Sequence, residues 1–69
     1  MTIKNNSDRA ESAYRAIQKF SDVTGLDNEE METKIKDLLC NLHHLADEQG
    51  IDFSDVLEAS HRSYESELI

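Results

Sequence analysis

The sequence predicts an all-α fold, a three-helix domain with a long central helix. The chain has 69 residues and no proline, so the residue that most often interrupts helices is absent. Its two glycines, Gly25 and Gly50, divide it into three segments, and in each segment apolar residues recur at spacings of three and four. This length suits one domain, so we expect a single helical domain over residues 1–69.

The first helix is predicted over residues 7–24, after a disordered stretch of residues 1–6. Gly25 is expected to end it in the left-handed conformation, followed by the apolar Leu26. Ala16 and Val23 make the inward face of this helix broader than two short helices can cover, so we expect a homodimer through helices 1 and 2. The residues of that face are Ala10, Ala13, Tyr14, Ile17, Phe20 and Thr24.

The second helix is predicted over residues 28–49, and Asp27 and Glu30 resemble a capping box at its start. Its apolar stripe has the spacing of packed or coiled helices, so we expect one continuous helix that packs this side away. The stripe consists of Met31, Ile35, Leu38, Leu39, Leu42, Leu45 and Ala46.

The third helix is predicted over residues 53–67, with Asp52 as N-cap. A glycine–apolar–aspartate pattern occurs at residues 25–27 and again at 50–52, which predicts at both places a helix end followed at once by a helix start.

The net charge is −8, and most of it lies after residue 24, where twelve acids face three lysines and arginines. Such a segment repels a phosphate backbone, so we expect no direct nucleic-acid binding. It attracts a basic partner protein, although acids also serve simply to keep a small protein dispersed. The predicted acidic contact face consists of Glu29, Glu30, Glu32, Asp37, Asp47, Glu48, Asp55 and Glu58.

We predict no catalytic residues, no metal site and no cofactor, because the chain has no Gly-rich phosphate loop, nucleophile elbow or HExxH motif. Cys40 and His44 are four residues apart, as two metal ligands on a helix would be, but with only His43 and His61 besides, no second cysteine or paired-histidine motif completes a zinc site. A single cysteine forms no disulfide within the chain, which indicates a reducing cytoplasm, and no apolar run is long enough for a membrane span.

Cys40 and His44 share the back of helix 2. Free cysteines are usually buried, so either another helix or a partner covers this face, or it is solvated.

Residues 34–59 include Leu45-Ala46-Asp47 and Gly50-Ile51-Asp52, and this part resembles the last helix pair of MazG-type nucleotide pyrophosphohydrolases. Those are all-α dimers that hold Mg²⁺ on paired acidic motifs. Asp37 matches the Asp of the second Glu-x-x-Asp motif, but Lys34 stands at the Glu position. Glu29 and Glu32 match the letters of the first motif but lie too close to Asp37. The resemblance implies, as an alternative, a degenerate nucleotide-binding dimer.

The same half is similar to short helical proteins of unknown function from phages and mobile elements. The shared pattern runs through Asp37, Leu38, Leu39, Leu42, His44, Leu45, Ala46, Asp47, Gly50, Asp52 and Phe53. This resemblance implies a non-enzymatic, anti-CRISPR-like inhibitor of host defence, which would dock its acidic face on a basic nucleic-acid-binding host protein. A structural accessory subunit is the remaining alternative.

Overall fold

The computed structural model describes residues 5–68, and within that range the secondary structure is three α-helices without a strand. They are α1 (Asn6–Thr24), α2 (Met31–Glu48) and α3 (Phe53–Ser66). The predicted all-α, three-helix fold is therefore confirmed. Between residues 5 and 68, no helix combines the length and the apolar character needed to cross a membrane.

The start of α1 is set by a side-chain cap. Asn5 has an extended backbone, and its Oδ1 accepts a hydrogen bond from the backbone N–H of Asp8 at 2.8 Å. Such a cap satisfies one of the amide groups that have no partner within the helix. The predicted disorder over residues 1–6 is therefore wrong for Asn5 and Asn6, and its remainder, residues 1–4, lies outside the described residues.

The end of α1 follows the predicted pattern. Gly25 has φ +76°, a left-handed conformation that side chains with a Cβ rarely adopt. Its N–H donates to the Ser21 carbonyl oxygen at 2.8 Å, and the Leu26 N–H donates to the same oxygen at 3.0 Å. One of the carbonyl groups at the helix end, that of Ser21, is thereby satisfied within the chain.

The second helix begins at Met31, three residues later than predicted. The Glu29 N–H donates to the Leu26 carbonyl oxygen at 3.0 Å in a turn, and the Lys34 N–H donates to the Glu30 carbonyl oxygen at 3.0 Å. The predicted capping box at Asp27 and Glu30 is wrong, because this turn occupies the residues that would have formed it. The long central helix of the prediction is not shown, since α2 has 18 residues and α1 has 19.

The third helix begins where the sequence predicts. Gly50 has φ +70°, and the Ile51 N–H donates to the Ala46 carbonyl oxygen at 2.9 Å, which closes α2. The Asp52 carboxylate then accepts from the Asp55 N–H at 3.2 Å and caps α3. Four residues therefore separate the end of α2 from the start of α3.

The chain groups into two compact units, the first ending at Leu39 and the second beginning at Cys40. In the first unit Ile17 and Ser21 are buried, and the Ser21 hydroxyl donates to the Ile17 carbonyl oxygen at 2.9 Å. In the second unit Ala46 is buried. Each unit therefore has a small buried centre.

Continuity of α2 is confirmed, but the expectation that its apolar side is packed away is wrong. Leu38 is partly buried, but the other five large apolar side chains of α2 remain between 39% and 52% exposed, at Met31, Ile35, Leu39, Leu42 and Leu45. A chain of this length buries only about 60% of the surface that its unfolded form exposes, so it has few groups with which to cover an apolar stripe. Apolar area of this extent is typical of a surface that meets another molecule.

Candidate protein-binding surface

The predicted acidic residues form two groups of four, one in each compact unit. Glu29 and Glu30 lie in the turn before α2, Glu32 in its first turn and Asp37 near its middle. The second group belongs to the end of α2 and the start of α3, and consists of Asp47, Glu48, Asp55 and Glu58. All eight are exposed except Asp37, which is partly buried. Each unit therefore presents its own set of negative groups to solvent.

Only part of this charge is paired. Asp37 lies 3.5 Å from Lys36 Nζ, Asp47 lies 3.8 Å from His43 Nε2, and Glu58 lies 3.2 Å from Arg62 Nη1. For the other five predicted contact residues no ion pair is present within residues 5–68. Exposed pairs of this kind are worth less than about 1 kcal/mol, so a basic partner can displace them at little cost.

The second unit has an apolar depression of about 250 Å³. It is lined by the end of α2, the α2–α3 junction and the start of α3, through Leu42, Leu45, Ala46, Gln49, Ile51, Phe53 and Val56. Small-molecule sites usually enclose about 300–1000 Å³, so this depression is better suited to one or two apolar side chains of a partner protein.

Acidic residues alternate with the lining residues of this depression along the chain. Asp47 and Glu48 separate Ala46 from Gln49, and Asp52 and Asp55 stand directly before Phe53 and Val56. Residues 37–61 contain six acids and no lysine or arginine. The depression therefore lies in a strongly negative segment, which we call the acidic junction surface and define as Leu42–Glu58.

A histidine and a phenylalanine that sequence reasoning missed belong to this surface. The rings of His43 and Phe53 stack with centroids 4.7 Å apart at 17°, and His43 also lies beside Asp47. The i,i+4 spacing of His43 and Asp47 was a signal available in the sequence. The contact with Phe53 was not, because it depends on how α3 approaches the end of α2.

Two further depressions are present in the described part of the chain. One, of about 280 Å³, lies in the first unit and is lined by Ala10, Ala13, Tyr14, Ile17, Met31 and Ile35. The other, of about 570 Å³, is lined by α3 alone, through Ser54, Leu57, Glu58, Ser60, His61 and Tyr64. The first-unit depression adds apolar area beside α1, whereas a single helix gives the α3 depression no opposing wall.

The back of α2 is open to solvent in this chain. Cys40 and His44 are both exposed, so no other helix of the described chain covers them, and coverage by a partner stays a prediction. From residue 5 to residue 68, no three histidine, cysteine or acidic side chains are arranged to hold a metal ion. This includes Glu29, Glu32 and Asp37, which carry the pyrophosphohydrolase resemblance.

No protein-family model, curated protein or solved structure matches the chain. The resemblances to MazG-type enzymes and to short phage proteins therefore stay predictions. We infer function from the charge and the apolar shape of the acidic junction surface.

Proposed function

We propose that this protein is a non-enzymatic binding protein that docks its acidic junction surface on a basic partner protein. The observation that carries the proposal is an apolar depression of about 250 Å³ whose lining residues have Asp47, Glu48, Asp52 and Asp55 as direct neighbours in the chain. An apolar centre with a charged rim is the usual anatomy of a protein-binding patch. The depression would supply most of the affinity, and the acids would supply association rate and selectivity.

The chemistry of the surface describes the partner segment that it fits. One or two apolar side chains would enter the depression, while lysines or arginines on either side would meet the acids. Proteins that hold nucleic acid carry such basic surfaces for phosphate contacts. Covering that surface would exclude nucleic acid, so the proposed role is inhibition of a host nucleic-acid-binding complex. An anti-CRISPR-like inhibitor from a phage or mobile element, acting in a reducing cytoplasm with Cys40 as a free thiol, is the form that we propose.

Charge reversal tests the proposal. Tagged protein should capture basic proteins from host lysate, which mass spectrometry identifies, and the affinity of the purified partner is then measured. Asp47→Lys should weaken binding by about 1 kcal/mol, roughly fivefold, because it reverses a charge on the acidic junction surface. Glu11→Lys is the matched control, since it makes the same change in net charge on α1 and should have less than half of this effect. Equal loss in both variants would contradict the proposal.

The second measurement is the salt dependence of the affinity between this protein and its purified partner. Affinity should fall steeply as ionic strength rises, because exposed charges are screened over about 10 Å at 0.1 M salt. Glu30→Lys reports whether the acids of the first unit take part as well. Affinity that does not change with salt would contradict an electrostatic partner surface.

The degenerate nucleotide-binding dimer and the accessory subunit stay predictions, because no contact among residues 5–68 favours either one. Calorimetry with Mg²⁺ and nucleoside triphosphates tests the first of them. If nucleotide binds with measurable heat and Asp37→Ala abolishes that heat, the result would favour the nucleotide-binding dimer over docking on a basic partner protein.

A further inference from the structure

Helix α1 has two apolar seams, and the second is less buried within the chain than the first. At about 100° per residue the centres of the two seams lie about 110° apart around the helix. Seam 1 consists of Ala10, Tyr14, Ile17 and Ser21, and seam 2 of Ala13, Ala16, Phe20 and Val23. Ile17 and Ser21 of seam 1 are buried. In seam 2 Phe20 is partly buried and the other three are exposed, Val23 at 73%, the largest value among the exposed large apolar residues.

The charge on α1 indicates what covers seam 2. The helix carries three acids and three bases, so it has no net charge, whereas residues 40–68 carry seven acids and one arginine. Two copies of the chain would repel each other at the second unit and meet without net repulsion along α1. A strongly basic partner, in contrast, gains no net attraction on α1. A second copy is therefore the occupant that fits this seam.

Side-chain size along seam 2 indicates how the α1 helices of two copies are oriented relative to each other. Seam 2 begins with the small Ala13 and Ala16 and ends with the larger Phe20 and Val23. We propose that a second copy packs antiparallel on seam 2, about a two-fold axis at the level of residue 18. Val23 of each copy then lies opposite Ala13 of the other, and Phe20 lies opposite Ala16. Large side chains thus face small ones, as two-fold, self-complementary packing requires. Ala13 also lines the first-unit depression, so the apolar surface continues beside the seam.

Sedimentation equilibrium of the full chain tests the dimer. The wild-type mass should be twice the 7.9 kDa of one chain. Ala16→Glu should raise the dimer dissociation constant about tenfold or more, because the pairing would bury a charge. Gln18→Glu is the matched control, since it adds the same charge on the opposite side of α1 and should leave the mass unchanged. A monomeric wild type, or a dimer that Ala16→Glu does not weaken, would overturn the proposal.

Cross-linking tests the orientation and does not depend on a variant that weakens the dimer. In a Cys40→Ser background, Ala13→Cys combined with Val23→Cys should form a disulfide-linked dimer on mild oxidation. Val23→Cys alone should not, because the two Val23 positions are about 15 Å apart along an antiparallel pair. Efficient linkage by the single variant would overturn the antiparallel arrangement. A wild-type monomer that still binds a basic partner would refute the dimer and leave the proposed function standing.

Discussion

At the scale of single residues, Asp52 combines two roles that substitution can separate. Its carboxylate caps α3 by accepting from the Asp55 N–H, and its charge lies within the acidic junction surface. The cap was predictable, because a short acceptor side chain directly before an apolar-periodic segment marks a helix start. The earlier Asp27 has the same sequence setting but precedes a turn, so the pattern alone does not decide where a helix begins.

Asp52→Ala should lower the free energy of unfolding by about 1 kcal/mol, because the Asp55 N–H loses its partner. Asp52→Asn should keep most of that stability, since asparagine caps as well as aspartate does. Urea unfolding followed by circular dichroism at 222 nm measures both variants. Equal destabilisation by alanine and asparagine would show that the charge, and not the cap, stabilises α3.

The acidic character of the proposed contact surface was predictable from composition. The arrangement of its residues in space was not. Twelve acids against three bases after residue 24 identified a negative surface without any knowledge of the fold. The eight residues were predicted as one face, and the structure assigns them to two units. His43 and Phe53 were missed, because ring stacking between two helices depends on three-dimensional packing that periodicity does not contain.

At the scale of helices, α2 has acids where its own dipole disfavours them. Asp47 and Glu48 lie in its last turn, which contains no lysine or arginine. Negative charges at a helix C-terminus oppose the partial negative charge of the exposed carbonyl groups. Residues that break a local rule of helix stability are often retained for binding.

Glu48→Lys should therefore change stability and binding in opposite directions. The free energy of unfolding should rise by about 0.5 kcal/mol, because a positive charge now faces the helix C-terminus. The affinity for the basic partner should fall severalfold, because the acidic junction surface loses a negative group. Thermal unfolding and a titration of the partner measure the two effects. A variant that binds as well as wild type would remove Glu48 from the contact surface.

At the scale of the whole chain, the sequence predicts the number of helices and the apolar side of each, but not how much of that side is covered. Spacing of three and four identifies the stripe on α2 whether or not other helices pack against it. Burial depends on contacts between residues far apart in the chain, and among residues 5–68 the fully buried ones are Ile17, Ser21 and Ala46. The expectation of a packed stripe failed for that reason.

The two proposed partners bind different parts of the exposed surface, and these parts differ in charge. A second copy takes the uncharged seam 2 of α1, and a basic protein takes the acidic junction surface. A net charge of −8 favours the basic protein and opposes any self-association through the second unit. The two interactions should therefore be independent, so that Ala16→Glu weakens the dimer without weakening partner binding at the acidic junction surface.

We propose that the acidic junction surface, Leu42–Glu58, contacts the partner. Amide chemical shifts of ¹⁵N-labelled protein, recorded while the purified partner is added, test this residue by residue. We expect the largest changes within residues 42–58, and we expect Asp47→Lys to reduce them at the same partner concentration. Changes confined to α1, or of equal size in the Asp47→Lys variant, would contradict the account.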